Sequence, residues 1–394
     1  MAPDSMPVAD SLDLRVRRIA ECAAEWRDPS SPVRAQARSA LAGGRWPAPF
    51  VERALDNVLF DLDEATARAM TQALSGRPVS TLVILPGNII GPAVSSAFCA
   101  ALAGSPVVLK AASDERHLAA IAAEQLDGVA GAVSAQHWRG GETEPEAEAL
   151  DRVERVIAFG DDETLEAIRR RVAARLKSGI PHLELVEYGE SYSIGYVNAT
   201  AELNESGVAA ARDVCLFDQR GCMSPQTVYV RGDAGRATLF ARALAAALER
   251  EGRALPRAAL EEAEPALIAS FLRRCAVTAL DAVPHGLRTL LTGPAKSGVP
   301  EFVVVVEPDG APTCAGFGRI VVVKPCADAG TMLRHLAALG RPLETIGTAG
   351  VLASEERSTL DASPARRHCA LGEMQRPPFG YRPTVLDFCE AEGA

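Results

Sequence analysis

The sequence predicts an α/β protein of two domains built on parallel, doubly wound sheets. Three observations carry that expectation. Short β-branched apolar segments alternate with amphipathic helical stretches over most of the chain. A length of 394 residues exceeds what one small hydrophobic core holds. The balance of 48% apolar and 23% charged residues is that of an ordinary globular protein.

The elements follow in order. Residues 14–77 are rich in Ala and Arg and read as helical. TLVILP, SPVVLK, RVIAFG and HLELVEYG read as successive short strands, with residues 117–126 and 163–175 as crossover helices between some of them. No charged residue occurs from Val79 to Leu109, a run long enough to span a bilayer. Pro86, Gly87, Asn88, Gly91, Pro92, Gly104 and Pro106 cut that run, so it reads as strand 81–85, buried helix 93–103 and a second, parallel strand 107–109, with no membrane span. Residues 140–148 are acidic and glycine-bearing and read as a surface connection. A second α/β region starts near Tyr196, with helices at 234–251 and 257–275 and strands at 302–306 and 320–323. The pattern breaks near Gly347, and the Pro- and aromatic-rich segment CALGEMQRPPFGYRPTVLDF reads as an extended return across the first domain. The expected division is therefore 1–195 with 348–394, and 196–347.

Composition excludes several function classes. A net charge of -10 argues against a nucleic-acid surface. Nine cysteines without a CxxC pair read as reduced thiols of a cytoplasmic protein, and six scattered histidines offer no metal-ligand spacing. The N-terminal stretch lacks the long apolar run of a secretory signal.

The segment DQRGCMSPQTVYV puts Cys222 on a short loop between an amphipathic helix, 206–217, and an apolar strand, 227–230. Gly221 permits a tight turn and Pro225 fixes the exit, so the thiol and its own N–H can face one point, as a catalytic cysteine requires. A cysteine is as often a small buried apolar residue, and the loop alone does not separate the two readings.

Four segments, LPGNIIGPA with VVLK, AFGDDETLEAI, LVEYGESYSIGYV and DQRGCMSP, together resemble the aldehyde dehydrogenase superfamily in order and spacing. The resemblance covers roughly residues 80–380 and is to the acyl-CoA reductase branch in particular, the LuxC-type fatty acyl reductases of bacterial luminescence and their relatives. It implies a Rossmann-like cofactor domain with an inserted α/β catalytic domain. It also implies NADPH-dependent reduction of an acyl thioester, on CoA or a carrier, to an aldehyde through an acyl-cysteine. Under the resemblance Cys222 is the nucleophile, and the Asn88 amide with the Cys222 N–H forms the oxyanion hole. Lys110 contacts the adenosine ribose. Ser113 stands where NAD-preferring relatives often carry a glutamate, which leans the cofactor toward NADPH with NADH still open. Gly160 precedes a helix whose N-terminus can face a pyrophosphate. Asp161, Asp162 and Glu163 depart from the family there, and they read as caps of the helix.

Glu187 matches the deacylating glutamate of hydrolytic members, and in a thioester reductase it is left to relay a proton. The glutamate that holds the nicotinamide ribose falls near Ala315 and is missing, while Phe317 remains as a neighbour of the ring. Structural readings stand beside these: a turn residue for Asn88, a solvated strand end for Lys110, a satisfied carboxylate for Glu187. Implied partners are an acyl-transferase or synthetase and further copies of the chain. Two rival functions stay open, oxidation of an aldehyde to an acid or acyl-CoA, and a non-catalytic scaffold subunit of an acyl-transfer complex. Cys215 reads as core, and Cys314 and Cys326 flank a strand without a functional signal; His182 and His368 lack triad partners; Trp138 fits either cofactor or core.

Overall fold

The computed structural model describes residues 8–129, 132–179, 182–280, 290–313 and 318–390. The chain divides into two compact units, Met1–Gly189 with Pro378–Ala394, and Glu190–Pro377.

The first unit begins with four helices, α1 (Val8–Arg27), α2 (Pro32–Leu41), α3 (Ala48–Asn57) and α4 (Glu64–Gln72). Alternation then sets in: β1 (Thr81–Ile84), α5 (Pro92–Ala103), β2 (Val107–Lys110), α6 (His117–Leu126), β3 (Val133–Gln136), α7 (Thr143–Leu150), β4 (Arg155–Phe159), α8 (Asp162–Lys177) and β5 (Glu184–Tyr188). The five strands are all parallel in the order β3-β2-β1-β4-β5, the order of a mononucleotide-binding half of a doubly wound sheet. The charge-free run resolves as expected into strand, buried helix and parallel strand. Pro92 opens α5 at its first turn, and Gly104, left-handed at φ 73°, closes it. Among the described residues, no helix is long and apolar enough to cross a membrane. One face of β1 and β4, with Leu82, Ile84, Val156 and Ala158, packs on Leu150 of α7 and on Leu165, Ile168 and Val172 of α8. Trp138 is 4% exposed in this same cluster, so it belongs to the core.

Of the expected return segment, residues 369–388, only the part from Pro378 on lies within the first unit; Cys369–Pro377 belong to the second, and Cys369 and Ala370 are in its sheet. Val79 N–H donates to Phe388 O at 3.0 Å and Glu390 N–H to Arg77 O at 2.9 Å. The buried Arg155 guanidinium holds the carbonyls of Asp387 and Cys389 at 2.6 and 2.7 Å.

The second unit contains β6 (Tyr192–Val197), α9 (Leu203–Cys215), β7 (Pro225–Arg231), α10 (Ala234–Ala254), α11 (Glu264–Leu280), β8 (Leu290–Thr292), and a two-residue pair, β9 (Ala295–Lys296) with β10 (Val299–Pro300). It continues with β11 (Val303–Val306), β12 (Ile320–Cys326), α12 (Ala329–Ala337), β13 (Leu343–Ala349), α13 (Ser354–Asp361) and β14 (Arg367–Ala370). Its seven-stranded sheet has the order β14-β13-β6-β7-β12-β11-β8, parallel except for the antiparallel edge strand β8. Tyr192, Ile194 and Tyr196 of β6 pack with Met332 and Leu336 of α12 and Leu360 of α13.

Several sequence expectations differ from the structure. Residues 140–148, expected as a surface connection, run into helix α7 (Thr143–Leu150), where Glu146 is buried and paired with Arg171 of α8. The helix expected at 206–217 is α9, which starts at Leu203 and ends at Cys215. The division falls at 189/190 and 377/378, where the sequence placed it at 195/196 and 347/348. Every residue of β6 is buried, and this strand is central in the second sheet, so the chain changes units at the Gly189 turn. The pattern also continues past Gly347. That glycine is inside β13 because a Cβ there would lie 2.8 Å from Met374 Cγ and closer to its sulfur, so it marks close packing of a neighbouring loop and not a break. Finally, the helix expected at 257–275 starts at Glu264.

Candidate active site

Parallel strands carry all their carboxyl ends to one edge, and five of the candidate residues lie along that edge of the first sheet. Lys110, Ile84, Ala158 and Glu187 are in register across four strands. Gly160 follows β4, Ser113 lies three residues beyond β2, and Asn88 lies in the loop from β1 to α5. Strand order reverses between β1 and β4, so Asn88 and Gly160 leave the sheet on either side of its switch point, the usual ligand crevice of an open α/β sheet. Asn88 and Ser113 are exposed. A Cβ on Gly87 would sit 3.1 Å from that of Ala112, which shows how closely the loops carrying these two residues approach.

The side chains along this edge differ in their freedom. Lys110 is half-buried, burial lowers its ammonium pKa, and its Nζ makes no hydrogen bond or ion pair with the described residues. Glu187 is tied to Arg169 of α8 at 2.8 Å, with its side chain 29% exposed. The N-terminus of α8 is occupied by its own cap: Asp161 Oδ1 accepts the Thr164 N–H at 2.8 Å, and the bonds from Thr164 lower the Asp161 pKa. Asp162 and Glu163 complete an acidic first turn. The capping reading of these acids holds, and their negative charge opposes an anion at that helix end. A Cβ on Gly160 would press on Thr164 at 2.7 Å, which explains the glycine by packing. Next to it, Phe159 stacks on Tyr188 at 4.8 Å. The Tyr188 hydroxyl donates to Asp387 at 2.6 Å, and the Arg382 guanidinium lies 4.8 Å from the Tyr188 ring centre. Phe317, with Cys314 and Ala315, lies outside the described residues.

Cys222 is built differently, in the second unit. After α9 the backbone makes a tight 3-10 turn in which Phe217, Asp218 and Gln219 all take left-handed φ of 60°, 49° and 62°. Three successive non-glycine residues in that region are strained, at about 1–3 kcal/mol each. Buried bonds hold them. Asp218 accepts from Arg319 Nε at 2.7 Å and from Ala258 N–H at 2.9 Å, and Gln219 Nε2 donates to the carbonyls of Pro225 and Ile320, both at 2.9 Å. Burial raises the Asp218 pKa, with Arg319 opposing it. A turn then closes from Ser224 N–H to Gly221 O at 3.0 Å, with Cys222 and Met223 at its centre, and β7 follows at Pro225. Cys222 is half-buried. Its carbonyl accepts from Ser193 Oγ of β6 at 2.7 Å, and Ser224 Oγ accepts from Gln375 at 2.6 Å.

The model of the acyl-CoA reductase (LuxC) family matches residues 49–382. The chain belongs to the acyl-CoA reductase (LuxC) family. This is a family of oxidoreductases. The chain is similar to the long-chain acyl-protein thioester reductase of Aliivibrio fischeri, 27% identical over 181 residues, which is 44% of this chain and 36% of the relative. It is also similar to that of Vibrio harveyi, 24% identical over 160 residues, 39% of this chain and 32% of the relative. The matched stretches thus span about a third of these relatives' length. Among solved structures it resembles an oxidoreductase from Marinobacter aquaeolei, with TM-score 0.69 and 16% identity over 98% of this chain and 86% of that one. It also resembles an NAD-dependent benzaldehyde dehydrogenase from Corynebacterium glutamicum, with TM-score 0.65 and 16% identity over 97% and 84%. The fold of this LuxC-family chain is that of the aldehyde dehydrogenases.

Three other described thiols of this LuxC-family member are poorly placed for chemistry. Burial pushes Cys215 and Cys326 up to about 12 and Cys369 up to about 11. His182 is exposed, and His368 lies 3.3 Å from Ser363 Oγ, with burial lowering its pKa. Sequence reading missed the tethers of the Cys222 turn, Ser193, Gln375, Asp218 and Arg319. It also missed Asp213 of α9, which is 1% exposed and accepts the N–H groups of Gly372 at 2.5 Å and Met374 at 2.9 Å.

Burial pushes Asp213 from 3.8 up to about 7, against the opposing backbone bonds. A folded-state pKa above the unfolded one means that folding takes up a proton between those values. The stability from this group is therefore full below about pH 4 and is lost as pH rises through about 7. Measured by denaturant titration, the unfolding free energy of the wild type minus that of Asp213→Asn is expected to fall across that window, by at most about 1.4 kcal/mol per pH unit. A difference that rises with pH would contradict the assignment.

Proposed function

We propose that this chain reduces an acyl thioester to an aldehyde with a nicotinamide dinucleotide, NADPH by preference, through an acyl group carried on Cys222. The observation that carries the reading is Cys222 itself. It is a half-buried thiol at the centre of a turn fastened to β6 and to Gln375, in a chain of the acyl-CoA reductase family.

In this reading the Cys222 sulfur gives up its proton and attacks the acyl carbon. The new C–S bond forms as the bond to the carrier thiol breaks, and that thiol leaves with a proton. The Asn88 amide and the Cys222 N–H donate to the oxygen as negative charge develops. When bound, the nicotinamide cofactor supplies the hydride that reduces the acyl carbon. The C–S bond to Cys222 then breaks, the thiol regains a proton, and the aldehyde departs. The Arg169–Glu187 pair favours this direction over hydrolysis, because a base for deacylation must turn toward water and this carboxylate is held by an arginine.

The residues of the first unit fit the sugar end of such a cofactor. Lys110 offers a cation with no ion pair to the described residues, and Ser113 adds a hydroxyl in place of a carboxylate, which suits a 2′-phosphate. The self-capped α8 does not fit a pyrophosphate, so Gly160 is left with a packing role and the phosphates are assigned elsewhere along the edge. The acyl donor is a CoA or protein thioester. The relatives' name, acyl-protein thioester reductase, favours the protein form and hence a partner that delivers it.

Intact-mass measurement after mixing with a panel of acyl-CoAs tests the reading. The expected result is one acyl adduct on Cys222 that disappears on addition of NADPH with an equivalent of aldehyde. Absence of the adduct, or release of carboxylic acid in place of aldehyde, would refute it.

A further inference from the structure

The Cys222 carbonyl takes its hydrogen bond from a residue of another strand. Ser193 Oγ donates to it at 2.7 Å and in turn accepts the N–H of Thr345 on β13 at 3.1 Å. Ser193 is fully buried on β6, between β7 and β13. Its hydroxyl therefore has one donor and one acceptor in fixed directions, and each bond polarises the other. The chain of bonds runs from the backbone of one central strand, through a side chain of the next, to the main chain of the cysteine itself.

This bond joins the cysteine's turn to the sheet. The turn closes at Ser224 N–H to Gly221 O, and the Cys222 carbonyl at its centre accepts from β6, outside the turn. The second tether, Gln375 to Ser224, acts on the far end of the turn, after the nucleophile.

We propose that Ser193 is a positioning residue for the Cys222 nucleophile, locking its carbonyl to β6 so that the thiol and the cysteine N–H hold one direction. The inference rests on the reading of Cys222 as the acylated residue. Ser193 touches neither substrate nor cofactor in this role. Its removal misplaces the attacking atom, and a misplacement near 1 Å costs on the order of 100-fold in rate.

The test compares Ser193→Ala with Ser191→Ala in the full chain, with Ser193→Thr as the variant that keeps the hydroxyl. Ser191 Oγ donates to the buried Glu344 at 2.8 Å, so its loss removes a similar bond just before the same strand without touching Cys222. Two quantities are read, steady-state reduction of an acyl-CoA and the rate of Cys222 alkylation by iodoacetamide, followed by peptide mass spectrometry. For Ser193→Ala, kcat is expected to fall about 10- to 100-fold with KM within about twofold, and the alkylation rate to shift by at least about threefold. Ser191→Ala is expected to stay within about twofold on both, and Ser193→Thr to recover at least about a third of kcat. Wild-type alkylation in Ser193→Ala, or the same loss in Ser191→Ala, overturns the proposal. Absence of an acyl adduct on the wild type refutes the functional reading instead, and the alkylation comparison then still decides whether Ser193 orients the thiol.

Discussion

Replacing Cys222 by alanine is expected to remove the acyl adduct and lower thioester reduction by about 10⁴-fold or more, with the fold retained. The loss is that large because the proposed nucleophile forms the covalent bond on which later steps act. The fold survives because the Ser193 bond goes to the main-chain carbonyl, which alanine keeps, and because the side chain is only half-buried. Asn88→Ala provides the scale for comparison. One oxyanion donor is worth about 2.7–4 kcal/mol, so kcat is expected to fall about 100- to 1,000-fold while the acyl adduct still forms slowly. Rapid-quench measurement of acylation on both variants, with aldehyde detected by mass, checks the pair. Reduction by Cys222→Ala within about tenfold of wild type, or an adduct that moves to Cys369, would sink the assignment.

Arg319→Ala is expected to cost the second unit about 3–5 kcal/mol, the largest loss from any single surface-distant substitution proposed for this chain. The pair it breaks is almost wholly buried, with side chains 1% and 3% exposed and 2.7 Å between Arg319 Nε and Asp218 Oδ1. Arg319 also caps α10 by donating to Leu255 O at 2.7 Å, and Asp218 is the middle residue of the left-handed turn before Cys222. Removing the guanidinium leaves a buried carboxylate in a strained backbone, where charge and strain no longer have their compensation. Arg319→Lys is expected to recover little, since one ammonium cannot reach both acceptors in the fixed geometry of the fork. Urea unfolding followed by tryptophan-independent circular dichroism reads the loss. A change under about 1 kcal/mol would show that the turn is held by other bonds.

Much of this molecule can be read from its residues, and the parts that cannot share a physical character. The strands at 81–84, 107–110, 155–159 and 184–188 are legible because each is a short apolar or β-branched run ended by Gly, Pro or a charge. β3 escaped because VSAQ is an edge strand, alternately half-buried and exposed, with little apolar signal. The edge strand β14 and the helix α13 escaped for the same reason, being mostly polar and charged. The turn that carries Cys222 is legible because a glycine and a proline bracket it between two clear elements. The acidic cap of α8 is legible because Asp and Glu at a helix start have a local meaning. Ser193, Asp218, Arg319 and Gln375 have none. Arg319 lies 101 residues from Asp218 and Gln375 lies 151 from Ser224, so their significance exists only once the sheet has brought them together.

The return segment fixes an order of assembly. Residues 378–390 are synthesised after the whole of the second unit, yet they supply the carbonyls that Arg155 binds on β4 and the backbone partners of Arg77 and Val79 beside β1. Domains made by the ribosome ordinarily complete themselves from the N-terminus onward. Here the unit that begins first is finished last: the buried Arg155 guanidinium has Glu184 of β5 early, and its two carbonyl acceptors only when translation reaches them.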